Sequence, residues 1–249
     1  MNDMRGHWHR ATSGGIGALF RPFAGSLALG AFWGGMAVAA HAYRPGYDWR
    51  YQTISVLLYR DQNPHGYLWA WAALELCGLA GVAWTADLRR RLKSGMTKPL
   101  AASLRVLQVG FVCMCCAVLP DSVLPWAKGH EAFAILAFLG ICIGVTCQMW
   151  AVLGRRKTAY SQATPGRISR KILWITPLLP LVPLVLAGST QAYLALERPD
   201  LPWVNPSWRT RGISPFLSFG LWEWTSCAVF SVCLLVLWGR RTAGVAERQ

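Results

Sequence analysis

Three histidines, His41, His65 and His130, each fall beside the end of a long apolar run, apart from His7 and His9 near the N-terminus. Asp48, Asp61, Asp121 and Glu131 lie near them in the sequence. Three imidazoles and a carboxylate at one depth can hold a zinc ion with an open position for water, the arrangement of hydrolytic centres. His41, His65 and His130 are therefore candidate metal ligands, and zinc the candidate cofactor. Against that, no H-x-x-x-H or H-E-x-x-H pairs two of them on one helical face. Gly129-His130-Glu131 also has a plainer reading as a first helical turn, where Glu suits the positive end of the dipole. No nucleophile-elbow pattern frames Ser55 or Ser122, so a Ser-His-Asp site has no motif behind it. The eight cysteines all sit in apolar runs, the C-x-C-C at 113–116 has no histidine beside it, and they read as small buried hydrophobes.

Two carboxylates lie inside apolar runs. Glu75 is eleven residues past Pro64, about 17 Å along a helix starting there, and Glu223 is eight past Pro215, about 12 Å along by the same rise. At such depth in a bilayer a carboxyl group faces the bundle interior, pairs with a cation or is protonated. Arg105, near the inner end of the next apolar run, is the candidate partner of Glu75. These two are the intramembrane polar pair, and Glu223 joins His130 and Asp121 as a candidate catalytic group.

Such residues need a frame, and composition says which. The chain has 249 residues, 54% hydrophobic and only 14% charged, with 14 Trp. That is too apolar for an ordinary soluble domain, and Trp favours membrane–water interfaces. Six segments are long and apolar enough to cross a hydrocarbon core: 24–42, 66–86, 100–120, 130–154, 172–196 and 216–239. The fold class expected is an all-α integral membrane six-helix bundle (24–239) between a basic tail at 1–23 and a short tail at 240–249.

Lysine and arginine set the direction. Seventeen of the 25 fall in the two tails and the second and fourth connectors, and seven in the first, third and fifth. Arg105 completes the set. An alternation that holds across every connector places both termini in the cytoplasm. The formal net charge of +14 is thus spread over short connectors, with no zinc-finger, RNP or basic-helix pattern, and nucleic acid is not an expected partner. Asn63-Pro64 and Ser214-Pro215 read as helix starts, a capping side chain followed by a proline with no N–H to satisfy. Pro177, Pro180 and Pro183 should kink or loosen the fifth span. Ala40-His41-Ala42 has the small-x-small look of a signal-peptidase site, but the preceding tail and apolar run are too long for a signal peptide.

The external connectors 43–65 and 197–215 are rich in Arg, Asp, aromatic residues, Pro and Gly, and read as ordered caps over the outer mouth. Arg50, Arg60, Asp61, Arg209 and Arg211 are candidate ligand-binding residues, since guanidinium groups bind phosphate oxygens two at a time.

Several short motifs share a pattern. Tyr47 with "IS" at 54–55 and "DQNPHGY" at 61–67 resembles the first external loop of six-span families related to the damage-regulated autophagy modulator (DRAM) proteins. "LPDS…GHEAFAILAF" at 119–138 resembles the start of their fourth span, and "EW" at 223–224 the Glu-Trp of their last. The layout is similar to that of a large bacterial six-span family of unknown function. The likeness runs over about residues 20–240, in short and degenerate motifs. It implies a six-helix bundle with cytoplasmic termini and a link to membrane-lipid handling, which in eukaryotic relatives includes GPI-anchor remodelling. Ile54, Ser55, Asn63, Pro64, His130 and Glu223 are the family-like positions. The chain departs in "ISVLLYRD", which lacks the acidic residue directly after Ser55.

The function expected is a polytopic membrane protein, in a bacterial inner membrane, that binds or handles lipid at the outer leaflet through a polar mouth. Its partner is then membrane lipid. The alternatives are an accessory subunit, with a membrane protein or a second copy as partner, and a metal-dependent lipid hydrolase using the outer histidines. A transporter with Glu75 or Glu223 as proton site is disfavoured by the lack of an inverted repeat.

Overall fold

The computed structural model describes residues 15–44, 46–91, 96–119, 129–160, 176–198 and 208–246. Among these residues the chain is all-helical, with no strand. The α-helices are α1 (Gly15–Ala42), α2 (Ile54–Leu58), α3 (Tyr67–Arg91), α4 (Lys98–Ala117), α5 (Gly129–Tyr160), α6 (Leu181–Glu197) and α7 (Phe219–Ala246). Four contain stretches long and apolar enough to cross a membrane: Tyr67–Arg90, Lys98–Ala117, Gly129–Ala151 and Phe219–Leu237. The 20 residues of α4 are about 30 Å long, the thickness of a hydrocarbon core. α6 is apolar but shorter, at 17 residues.

Sequential neighbours pack in turn, α1 on α3, α3 on α4, α4 on α5, and α7 closes against α1, α5 and α6. The core is made by Phe32 and Met36 of α1, Ala70 and Ala73 of α3, Leu107 and Phe111 of α4, Ile141 and Val145 of α5, and Phe230 and Leu234 of α7. The outward faces carry large apolar side chains, among them Leu76, Leu79, Val109, Ile135, Val185 and Val232. Such a belt is stable only if hydrocarbon covers it. Backbone contact replaces side-chain bulk where α4 meets α5. A Cβ on Gly140 would stand 2.8 Å from Gly110 Cα, and one on Gly144 2.6 Å from Leu107 Cβ. Gly140 and Gly144 form the small-xxx-small spacing that lets two membrane helices approach closely.

Several polar groups inside the bundle are tied off locally. Gln148 Nε2 donates to Ser103 Oγ at 2.6 Å, Trp33 Nε1 to Ser231 Oγ at 3.1 Å, and Thr85 Oγ1 to Gly81 O at 2.9 Å. An unpaired donor here would have no water to turn to.

Three expectations change. The proline-rich run is not one kinked helix over its described part. Thr176–Leu178 forms a 3-10 turn and α6 begins at Leu181, with Pro180 as its N-cap. Pro183 then lies in the first turn, where a missing N–H removes no bond. Second, neither Asn63 nor Ser214 caps a long helix through its side chain. Pro215 opens the 3-10 turn Pro215–Leu217, and Ser218 caps α7, its Oγ accepting from Gly220 N at 3.2 Å. Third, Glu75 and Arg105 do not pair. Glu75 lies beside Cys115, ten residues further along α4 than Arg105, which is about 15 Å. Arg105 is exposed, and Glu75 Oε2 has no hydrogen-bond partner among the described residues.

Candidate functional site

The loop between α1 and α2 is folded by its own side chains. Asp48 starts it: its carbonyl accepts from Tyr51 N at 3.0 Å and Gln52 N at 2.9 Å. Gln52 Oε1 returns a bond to Asp48 N at 2.7 Å. Gly46 precedes the turn at φ 133°, a backbone region that side chains resist. Thr53 then leads into α2, a five-residue helix carrying Ser55.

The loop is pinned to α7 from beneath. Ile54 N donates to Glu223 Oε2 at 2.8 Å, a buried bond across 169 residues. Tyr47 Oη lies 2.9 Å from Gln52 O and 3.0 Å from Thr53 O and accepts from Trp224 Nε1 at 2.7 Å. Burial pushes the Tyr47 phenol well above its ordinary pKa of 10.0, so it stays a donor at any physiological pH. Gly220 clears the way, since a Cβ there would meet Gln52 N and O at 2.8 Å. An aromatic ladder runs down this seam, Tyr43–Tyr47 at 5.8 Å, Tyr47–Trp224 at 6.0 Å and Trp224–Trp33 at 5.8 Å between ring centres.

Residues 208–217 join the same cap. Tyr51 Oη donates to Ile213 O at 2.9 Å. Arg50 grips Asp48 in two-pronged fashion, Nε to Oδ1 at 2.9 Å and Nη2 to Oδ2 at 3.0 Å, and Arg209 Nη1 reaches Oδ2 at 3.4 Å. The Arg50 guanidinium holds the Asp48 carboxyl below its ordinary value of 3.8. Two cations thus converge on one carboxylate at the protein surface, leaving a net positive charge there. Arg60, Asp61 and Arg211 are exposed.

Beneath α2 lies a second cluster. His130, in the first turn of α5, places Nδ1 2.6 Å from Ala117 O and Nε2 3.1 Å from Ser55 Oγ. A carbonyl only accepts, so Nδ1 carries the hydrogen. In the uncharged ring Nε2 is then an acceptor, and the Ser55 hydroxyl donates to it. The Tyr59 ring stands edge-on to the imidazole, with centres 5.5 Å apart. Ala117 is the last residue of α4, where carbonyls lack helical partners. His130 satisfies one and Trp71 Nε1 the next, Val118 O.

Asn63 closes the far side, its Nδ2 donating to Ala39 O at 3.1 Å and Leu57 O at 3.3 Å. So Ile54, Ser55, Asn63, His130 and Glu223 tie the loop and α2 to α1, α5 and α7.

No family model, curated protein or solved structure matches this chain. Its site therefore rests on its own geometry.

His41, His65 and His130 do not form a ligand set. The first two are exposed at the ends of α1 and before α3, and both His130 ring nitrogens are engaged by protein atoms. No three His, Cys, Asp or Glu side chains are grouped for a metal among the described residues. Asp121 lies outside the described residues. Glu223 lies one turn into α7, shallower than a helix starting at Pro215 would put it, and holds the loop backbone. Sequence reasoning gave Ser55 no weight as the partner of His130. No local signal joins the two, which lie 75 residues apart.

Proposed function

We propose that this chain is an integral membrane protein of six spans with both termini in the cytoplasm, in a bacterial inner membrane, and that it handles lipid at the outer leaflet. The likeness of its loop motifs to the DRAM-related families belongs to this reading. One observation carries it: residues 46–53 and 208–217 meet in a single polar cap, with Arg50 and Arg209 brought together on Asp48 at the protein surface. A phosphate competes well for such a pair, because each guanidinium keeps donors directed outward. Exposed Trp49, Tyr59, Leu68, Trp69 and Phe216 seat the same end at headgroup level.

The test is native mass spectrometry of the protein released from vesicles of phosphatidylcholine with phosphatidylglycerol. Preferential retention of phosphatidylglycerol is expected, falling roughly tenfold in the Arg50→Ala/Arg209→Ala variant, about 1.4 kcal/mol. Equal retention by both proteins refutes the headgroup site. A tightly held protein subunit in place of lipid points to the accessory-subunit alternative.

A further inference from the structure

We propose that Ser55 and His130 form a nucleophile–base pair for acyl transfer from an O-acyl ester of a membrane lipid. The ester substrate rests on the lipid-handling reading; the reactive serine itself does not. Three features support the pair. Ser55 Oγ lies 3.1 Å from His130 Nε2, within reach for proton transfer. Ala117 O, 2.6 Å from Nδ1, fixes the tautomer that leaves Nε2 free to take a proton. It fills the role that an aspartate has in a triad, orienting the ring and stabilising the imidazolium that forms. Finally, both side chains are only partly buried, at the α5 end of the bundle where the exposed aromatics gather. Such aromatic residues favour the membrane–water interface, where glycerolipid ester linkages lie.

In the step, Ser55 Oγ bonds to the ester carbonyl carbon as its proton passes to Nε2. The tetrahedral adduct collapses with cleavage of the bond to the alcohol oxygen, and the alcohol leaves with the proton from Nε2. Water, or a second alcohol, then attacks the acyl-serine with the same nitrogen as base. This releases the acid or a new ester and restores Ser55. No metal and no redox partner enters the balance. A histidine that only capped α4 would not need its other nitrogen aimed at a hydroxyl.

The experiment treats the full chain in nanodiscs with a biotinylated fluorophosphonate, followed by peptide mass spectrometry to find the adduct. Phosphonylation at Ser55 is expected, absent in Ser55→Ala and slowed roughly 100-fold or more in His130→Gln, the usual worth of a general base. Since His130 also caps α4, folding of both variants is checked by size exclusion and tryptophan emission. If His130→Gln fails to fold, His130→Asn stands in, and labelling of Ser55 in folded wild type is compared with that of Ser103 and Ser226, with selective modification of Ser55 expected. No Ser55 adduct on folded wild type, labelling of Ser55 no faster than of those serines, or labelling indifferent to His130, overturns the pair. The probe needs no lipid, so its failure leaves the headgroup site standing. If the serine labels, free fatty acid release from phosphatidylglycerol nanodiscs decides the substrate class: release lost in Ser55→Ala supports the lipid ester, and no release overturns it.

Discussion

Replacing Glu223 by alanine should free the loop between α1 and α2 while leaving the bundle intact. In the native chain Ile54 N–H donates to Glu223 Oε2 at 2.8 Å, with the two residues 5% and 8% exposed. Alanine removes the acceptor from a site where water does not replace it, and an orphaned buried donor costs about 1–3 kcal/mol. If that cost falls on docking of the loop, its opening equilibrium rises roughly 5- to 150-fold, at about 1.4 kcal/mol per tenfold. Glutamine keeps an oxygen of the same reach that can accept from Ile54 N, and should lose less than about 1 kcal/mol. Hydrogen–deuterium exchange of peptides covering 47–58 in nanodiscs reads this directly. Faster exchange there in Glu223→Ala, little change in Glu223→Gln, and no change in α4 or α5 is the expected pattern. Alanine matching wild type, or glutamine matching alanine, would refute the claim that this hydrogen bond holds the loop.

Two further outcomes follow from packing and charge. Gly144→Leu should separate α4 from α5, because even a Cβ there would sit 2.6 Å from Leu107 Cβ. The overpacking should cost about 1–3 kcal/mol, read as a lower unfolding midpoint in mixed micelles, with Gly188→Leu on α6, where nothing lies within 4 Å, as the silent control. The Asp48 turn should depend on acid. Its folded pKa is depressed by Arg50 below the ordinary 3.8, so its contribution is complete above that value and is lost as pH falls through the lower, folded one. Tryptic cleavage after Arg50 should accordingly be slow in loops pre-equilibrated at neutral pH and faster in Asp48→Asn; equal rates would remove Asp48 from the account.

Much of the frame was legible in the sequence, and the reasons differ by residue. The apolar runs predicted the starts of α3, α4, α5 and α7 to within three residues, while α3, α5 and α7 run five to seven residues beyond the expected ends, because composition marks the apolar stretch and not the polar turns that continue it. Pro177, Pro180 and Pro183 pointed to a kinked or loosened stretch, and the described part has a 3-10 turn at Thr176–Leu178 before α6 begins at Leu181; what the prolines did not mark was where the helix starts. Depth arithmetic on Glu75 and Arg105 was available beforehand. Measured from the inner ends of α3 and α4 they lie about 24 Å and about 10 Å deep, too far apart for side chains to meet. Asn63 and Ser214 resembled caps because capping is a local signal, whereas Asn63 is committed to Ala39 O and Leu57 O. The seam itself was not legible. Ser55 and His130 are 75 residues apart, and nothing local in either stretch names the other.

The pin from Glu223 to the first loop has a consequence in time. Ile54 leaves the ribosome 169 residues before its acceptor, and Trp33 precedes Ser231 by 198. At roughly 5–20 residues per second the early loop waits about 10–40 s for the last helix. Throughout that interval the Ile54 and Trp33 donors have no partner from α7, and the loop's aromatic side chains lie undocked at the membrane surface. Biogenesis of this protein is therefore exposed at one end only: an interruption before α7 strands a loop that is already made, whereas the α4–α5 pair can close as soon as it is inserted. Quality control that reads this undocked loop would detect a missing α7 without touching it.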